Sequence, residues 1–176
     1  GLHRFALMAR DESGGLVISE SFDFNVDLSF SQAAELSDPV GDDAGPEGRY
    51  LYPVHESFNH QMDVEGLTIY RAGLNLKLEV RTAAPISTEW GPQNGFDHVY
   101  FYVYFDDPNK TGATDLPFQN AKMPEGADWD VMMMVGGWNA SLFGSDGAGP
   151  DSYGTAISSA PQIEVDGERV HVAVTD

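Results

Sequence analysis

Cysteine is missing from this chain of 176 residues, and lysine nearly so, with only Lys77, Lys110 and Lys122. Without cysteine there is no disulfide framework, no Cys-ligated zinc and no thiol chemistry. Basic residues as a whole are scarce: 9 Lys and Arg stand against 28 Asp and Glu, a formal charge of −19. Such a surface repels phosphate backbones and anionic lipid, and no Lys/Arg cluster offers a local exception, so nucleic-acid partners are excluded. No run of eighteen apolar residues occurs, which argues against membrane insertion. The first residues, GLHRFALMAR, lack the apolar core of a signal peptide and do not begin with methionine. They read as the start of a mature or excised piece of something longer. G-x-S-x-G, Walker and H-E-x-x-H motifs are also absent. Divalent cations and neutral ligands remain as partners. A lysine-poor acidic surface also suits a saline medium, where salt screens self-repulsion.

What is present reads as strand. Short apolar runs at 5–10 and 16–20 flank DESGG, a hairpin signal. Phe22, Phe24, Val26, Leu28 and Phe30 alternate with polar residues, the period of a half-buried strand. Residues Gln32 to Leu36 suggest a helical turn. Met62 to Tyr70 and Leu74 to Arg81 read as two strands joined by Arg71 to Gly73. His98 to Phe105 is a β-prone run with aromatics on both faces. The segment WDVMMMVGGWNASLF gives a further strand, Ser145 to Gly154 a loop, and Gln162 to Val174 a hairpin turning at Asp166-Gly167. Many short strands, Gly/Pro-rich turns and no amphipathic helix predict an all-β fold, a β-sandwich or jelly-roll-like domain.

The stretch DPVGDDAGPEGRYLYP concentrates chemistry. Asp38, Asp42 and Asp43 lie within six positions, interleaved with glycines that let backbone carbonyls turn inward. Hard cations such as calcium take six to eight oxygens from such loops, and a solvated acidic turn uses the same residues. Asp107 to Asp115, DPNKTGATD, starts like an EF-hand loop, but Phe118 stands where the closing glutamate belongs, so Asp106 at the strand end is the better ligand candidate. His98 with Met132 to Met134 has the residue types of haem ligation, against which core packing is the commoner role. Trp90, Trp129 and Trp138 lie in or beside loops. Exposed indole faces suit sugar rings, and a tryptophan can equally plug the end of a sandwich.

DPVGDDAGPEGRYLYP, MDVEGLTIY, EWGPQNGFDHVYFYVYFDD and DWDVMMMVGGWNASLF, in that order between Asp38 and Val174, resemble the C-terminal module of glucodextranase and similar modules of amylopullulanase-type enzymes. The resemblance implies a non-catalytic β-sandwich, similar to family nine carbohydrate-binding modules and the DOMON-like group, that binds carbohydrate or the cell surface and has a calcium site. By position it implies a calcium set of Asp38, Asp42, Asp43, Asp63 and Asp106, the last two from Met62-Asp63-Val64 and Tyr104-Phe105-Asp106. Trp90 and Trp138 fall on the family's loop tryptophans and are the carbohydrate-binding candidates. Residues 1–34 precede the family's usual start and 35–176 form the module; the family usually continues into a further strand beyond Val170 to Val174.

The expectation is therefore a calcium-stabilised module of an extracellular protein, binding an α-glucan or a cell-surface glycan. Residues 1–34 would be the end of a preceding domain, or strands that complete the sheet or are exchanged with a neighbour in self-association. Two alternatives stand beside it: an assembly subunit of a surface layer or filament built by N-terminal strand exchange, and a glycoside hydrolase fragment with paired carboxylates.

Overall fold

A computed structural model describes residues 2–5, 8–10, 13, 16–18, 22–25, 29–45, 48–51, 55 and 63–175. The chain divides into two compact units, Gly1–Phe30 and Ser31–Asp176. In the first, β2 (Met8–Arg10) and β3 (Leu16–Ile18) form the antiparallel hairpin that DESGG predicts. Around it in sequence, β1 (Leu2–Phe5) pairs antiparallel with β4 (Phe22–Asn25), Leu2 opposite Asn25 and Phe5 opposite Phe22. Val26, Asp27 and Leu28, from the same alternating run, lie outside the described residues.

The second unit holds two larger antiparallel sheets. One runs in the order β14 (Gln162–Asp166), β15 (Arg169–Val174), β7 (Asn75–Thr82), β6 (Val64–Ala72), β5 (Ser31–Ser37). The other runs β13 (Ser152–Ile157), β12 (Ala140–Gly149), β11 (Val131–Gly136), β8 (Tyr100–Phe105). Between β8 and β11, β9 (Asp115–Leu116) and β10 (Ala121–Lys122) form a small hairpin.

Alternation builds the core. Leu78 on β7 and Val170 and Val172 on β15 face Met133 and Val135 on β11 and Leu142 on β12, while Ile86, Phe96 and Val99 from the 83–99 connection close one side. Phe101, Val103 and Phe105 pack on the same cluster, so the residues between them, Tyr102 and Tyr104, face the other way. Each fully buried aliphatic or aromatic side chain here is worth about 1.5–3 kcal/mol. The fold is thus the all-β sandwich that the strand pattern implies. The methionines are packing residues: Met133 lies in the core, and Met132 and Met134 are buried on the opposite face of β11.

Two segments differ from the sequence reading. Gln32 to Leu36 is not a helical turn but part of β5, paired with β6 from Ser31 opposite Arg71 to Ser37 opposite Gly66. An isolated helical turn has too few hydrogen bonds to stand alone, whereas the open edge of β6 offers a ready ladder. Every side chain of β5 is exposed, so no burial pattern marks it in the sequence. Ser145 to Gly154 is likewise not a loop. It forms the paired ends of β12 and β13, with a register shift between Gly144 and Ala148. Gly154, at φ +91 with the Gly144 carbonyl only 2.2 Å from where a Cβ would sit, allows that bulge.

Candidate binding loops

The connection from β7 to β8 and the turn from β11 to β12 meet at one end of the sandwich. There Trp90 is 66% exposed and Trp138 45% exposed. Their ring centroids are 6.4 Å apart at an interplanar angle of 48°. The meeting is held by backbone. Asn94 donates its main-chain N–H to the Gly137 carbonyl (2.9 Å) and its side-chain amide to the Gly136 carbonyl (2.7 Å), and Gln93 Nε2 donates to the Trp138 carbonyl (2.7 Å). A Cβ on Gly137 would lie 1.9 Å from the Phe96 carbonyl oxygen, so only glycine lets the two segments come this close.

Beneath Trp90 sits Asp97, fully buried. Its Oδ2 accepts the Trp90 N–H at 2.8 Å, and its own N–H donates to the Ser87 carbonyl. His98 places Nε2 3.1 Å from Asp97 Oδ1 and sets its ring edge-on to Trp90, centroids 4.8 Å apart. The indole is therefore seated on a buried carboxylate and an imidazole and not left to swing on a free loop. The same connection walls a cleft of about 440 Å³ with Ile86, Thr88, Gln93, Asn94, Ile163 and Val165. Trp129 is different: it is fully buried and its Nε1 donates to the Asp115 carbonyl, the plugging role.

The acidic loop is anchored by Asp63. This carboxylate is 1% exposed; Oδ2 accepts the Gly41 N–H at 2.8 Å, while Oδ1 is buried and accepts no hydrogen bond among the described residues. Asp38 donates its N–H to the Glu65 carbonyl, which draws the loop start onto β6. Asp38 and Asp42 are exposed and Asp43 half-buried. Pro46, Glu47, Tyr52, Pro53 and Met62 lie outside the described residues.

Asp106 does not join this group. Its surroundings are Asp128, Asp130 and Asp107; partial desolvation at the strand end and then those like charges, Asp128 foremost, hold its carboxyl above the usual carboxylate range. Its neighbour Asp107 is held below that range by hydrogen bonds from Asn109 and by Lys110. Among the described residues no three acidic or histidine side chains stand close enough to hold a metal ion. The five aspartates of the expected calcium set thus do not gather as one cluster, and Asp106, at the end of β8, has Asp128, Asp130 and Asp107 beside it. The resemblance carried sequence positions and no distances, and Asp106 found nearer carboxylates.

Sequence reasoning passed over Asp97, because one aspartate among so many carries no mark, and Tyr100, whose exposed ring lies across Gly136 next to the Trp138 turn. The strict Tyr100, Tyr102, Tyr104 alternation was the available signal for the latter.

A closed β-sandwich whose exposed tryptophans cluster on loops at one end is the layout of a binding module. The comparison with known families agrees: the model of the C-terminal, SLH-like binding module of glucodextranase matches residues 33–176, and the chain belongs to that family. It is accordingly a binding module and not a catalytic domain. No curated protein matches the sequence. Among the described residues no helix is long and apolar enough to cross a membrane.

Proposed function

We propose that this module binds glycan on an extracellular protein, with Trp90 and Trp138 as its stacking surface. The observation that carries this is the pair itself: two half-open indoles from distant parts of the sequence, held at 6.4 Å by hydrogen bonds and a buried carboxylate. The C–H face of a pyranose stacks on such rings, and a neutral ligand is what a chain of charge −19 accepts without electrostatic penalty. The family's enzyme makes an α-glucan the first ligand to try, and its SLH-like description makes a cell-surface glycan the second. In affinity electrophoresis through dextran or soluble starch, Trp90→Ala and Trp138→Ala are each expected to weaken retention about tenfold or more. Retention unchanged in both variants would sink this surface as the site.

Calcium at the acidic loop is part of the same proposal. A buried carboxylate with one oxygen lacking a hydrogen bond fits a cation, and among the described residues Asp63 Oδ1 is such an atom. Asp63 with Asp38, Asp42 or Asp43 would hold the ion, with backbone carbonyls and water completing the shell; Asp106 is not in this set. The ion's role would be to neutralise clustered charge and tie the loop to β6. Chelation by EDTA is expected to lower the melting temperature, and calcium to restore it. Of residues 1–34, the first thirty read best as the end of a preceding domain, since β4 already has a partner in β1, whereas Ser31 to Ala34 belong to β5 of the module's own sheet.

A further inference from the structure

The β9–β10 hairpin has no part in the surface above. Its four connecting residues, Pro117 to Asn120, include two non-glycine residues in the left-handed region, Phe118 at φ 59° and Asn120 at φ 49°. L side chains rarely adopt this conformation, and a phenylalanine has no local hydrogen bond to repay it. The conformation is imposed from outside. Phe118 donates its N–H to the Pro150 carbonyl at 2.8 Å, tying the hairpin to the β12–β13 turn, and the Gln119 side-chain amide donates to the Tyr104 hydroxyl. The outcome is an aromatic ring held 56% exposed, its inner side on Tyr153 with centroids 4.6 Å apart, where burial would be the default for phenylalanine.

That ring stands at a cleft of about 390 Å³, lined also by Leu116, Ala121 and Pro150, whose polar groups are Asp115 and Lys122, paired at 3.1 Å, with Asn120 and Asp151. One flat apolar face with carboxylate, amide and ammonium groups around it matches a pyranose, which has one C–H face and a rim of hydroxyls that both donate and accept. The carboxylates accept hydrogen bonds from sugar hydroxyls, and Lys122 and Asn120 donate to hydroxyl oxygens. A free anion is disfavoured by Asp115 and Asp151, and a purely apolar ligand by all four polar groups.

We propose that this cleft is a second glycan subsite, taking a neutral hexopyranose unit of the same polysaccharide bound by the Trp90 and Trp138 surface. It rests on the glycan-binding reading and adds a second foothold: two subsites on one module bind a long chain more tightly than a short one, through effective concentration.

The test uses the full chain in gels containing dextran or soluble starch, with Phe118→Gly as the main variant. Glycine adopts φ 59° without strain, so this change removes the ring while easing the backbone. Expected is about five-fold weaker retention on the long polysaccharide, a smaller loss for a short oligosaccharide competitor, and an undiminished melting temperature. Wild-type retention that Phe118→Gly leaves unchanged overturns the second subsite and spares the tryptophan surface. Absence of wild-type retention on either polysaccharide or on purified cell-wall glycan overturns both. Should Phe118→Gly itself lower the melting temperature, Lys122→Met, at an exposed position, decides: retention equal to wild type overturns the proposal.

Discussion

Two aspartates lie fully buried at loops of this sandwich, and each accepts one loop amide at 2.8 Å, Asp97 from Trp90 and Asp63 from Gly41. They differ in the second oxygen. Among the described residues neither Oδ1 accepts a hydrogen bond, but beside Asp97 Oδ1 the His98 Nε2 stands 3.1 Å away. Burying a carboxylate is costly unless its charge is compensated. The chain places an imidazole nitrogen beside one carboxylate from its own next residue; at the other, on the proposal above, compensation would come from a bound cation. On the calcium proposal the first loop presents its tryptophans without a ligand, and the second would be fixed only once a cation binds.

The largest effect expected from this contrast is at Asp97. Asp97→Ala removes the Trp90 anchor and the carboxylate beside His98, and each buried polar group left without a partner costs about 1–3 kcal/mol. Urea unfolding should show that loss equally with calcium and with EDTA; a loss that calcium repairs would erase the distinction between the two loops. Next comes Asp63→Asn. With EDTA it should leave stability unchanged or slightly higher, because an uncompensated charge is gone. With calcium at a hundredfold excess over its Kd, the variant should lack the roughly 2.7 kcal/mol that binding gives the wild type. Equal stabilities of variant and wild type in both buffers would remove calcium from the loop.

The smallest effect is at Asp106. Its carboxyl is raised in the fold, so the folded chain holds the extra proton more firmly than the unfolded one. That contribution is present below the unfolded pKa of about 3.9 and is lost as pH rises through the raised value. Asp106→Asn should therefore raise the melting temperature modestly at pH 7, with the gain shrinking towards pH 4. A fall in calcium-containing buffer would instead put Asp106 back among the ligands.

How much of this was legible depends on what kind of signal each element carries. The strands β6, β7, β14 and β15 announce themselves because one face of each packs on the core and period two survives in the residues, while β11, buried on both faces, shows as an unbroken apolar run. β5 does not, since all seven of its side chains face water and only backbone pairing with β6 makes it a strand. Trp90 and Trp138 could be named from their loops, but Asp97 could not, because its role is a distance to an amide seven residues back.

Composition and alternation by themselves determined an all-β, acidic, cysteine-free domain, since hydrophobic period and charge are properties of the chain read in order. The tertiary structure alone decided which acids stand together, which tryptophan is buried, and where a phenylalanine is held open to water. Those are outcomes of segments far apart in sequence arriving at one place, and no local pattern encodes an arrival.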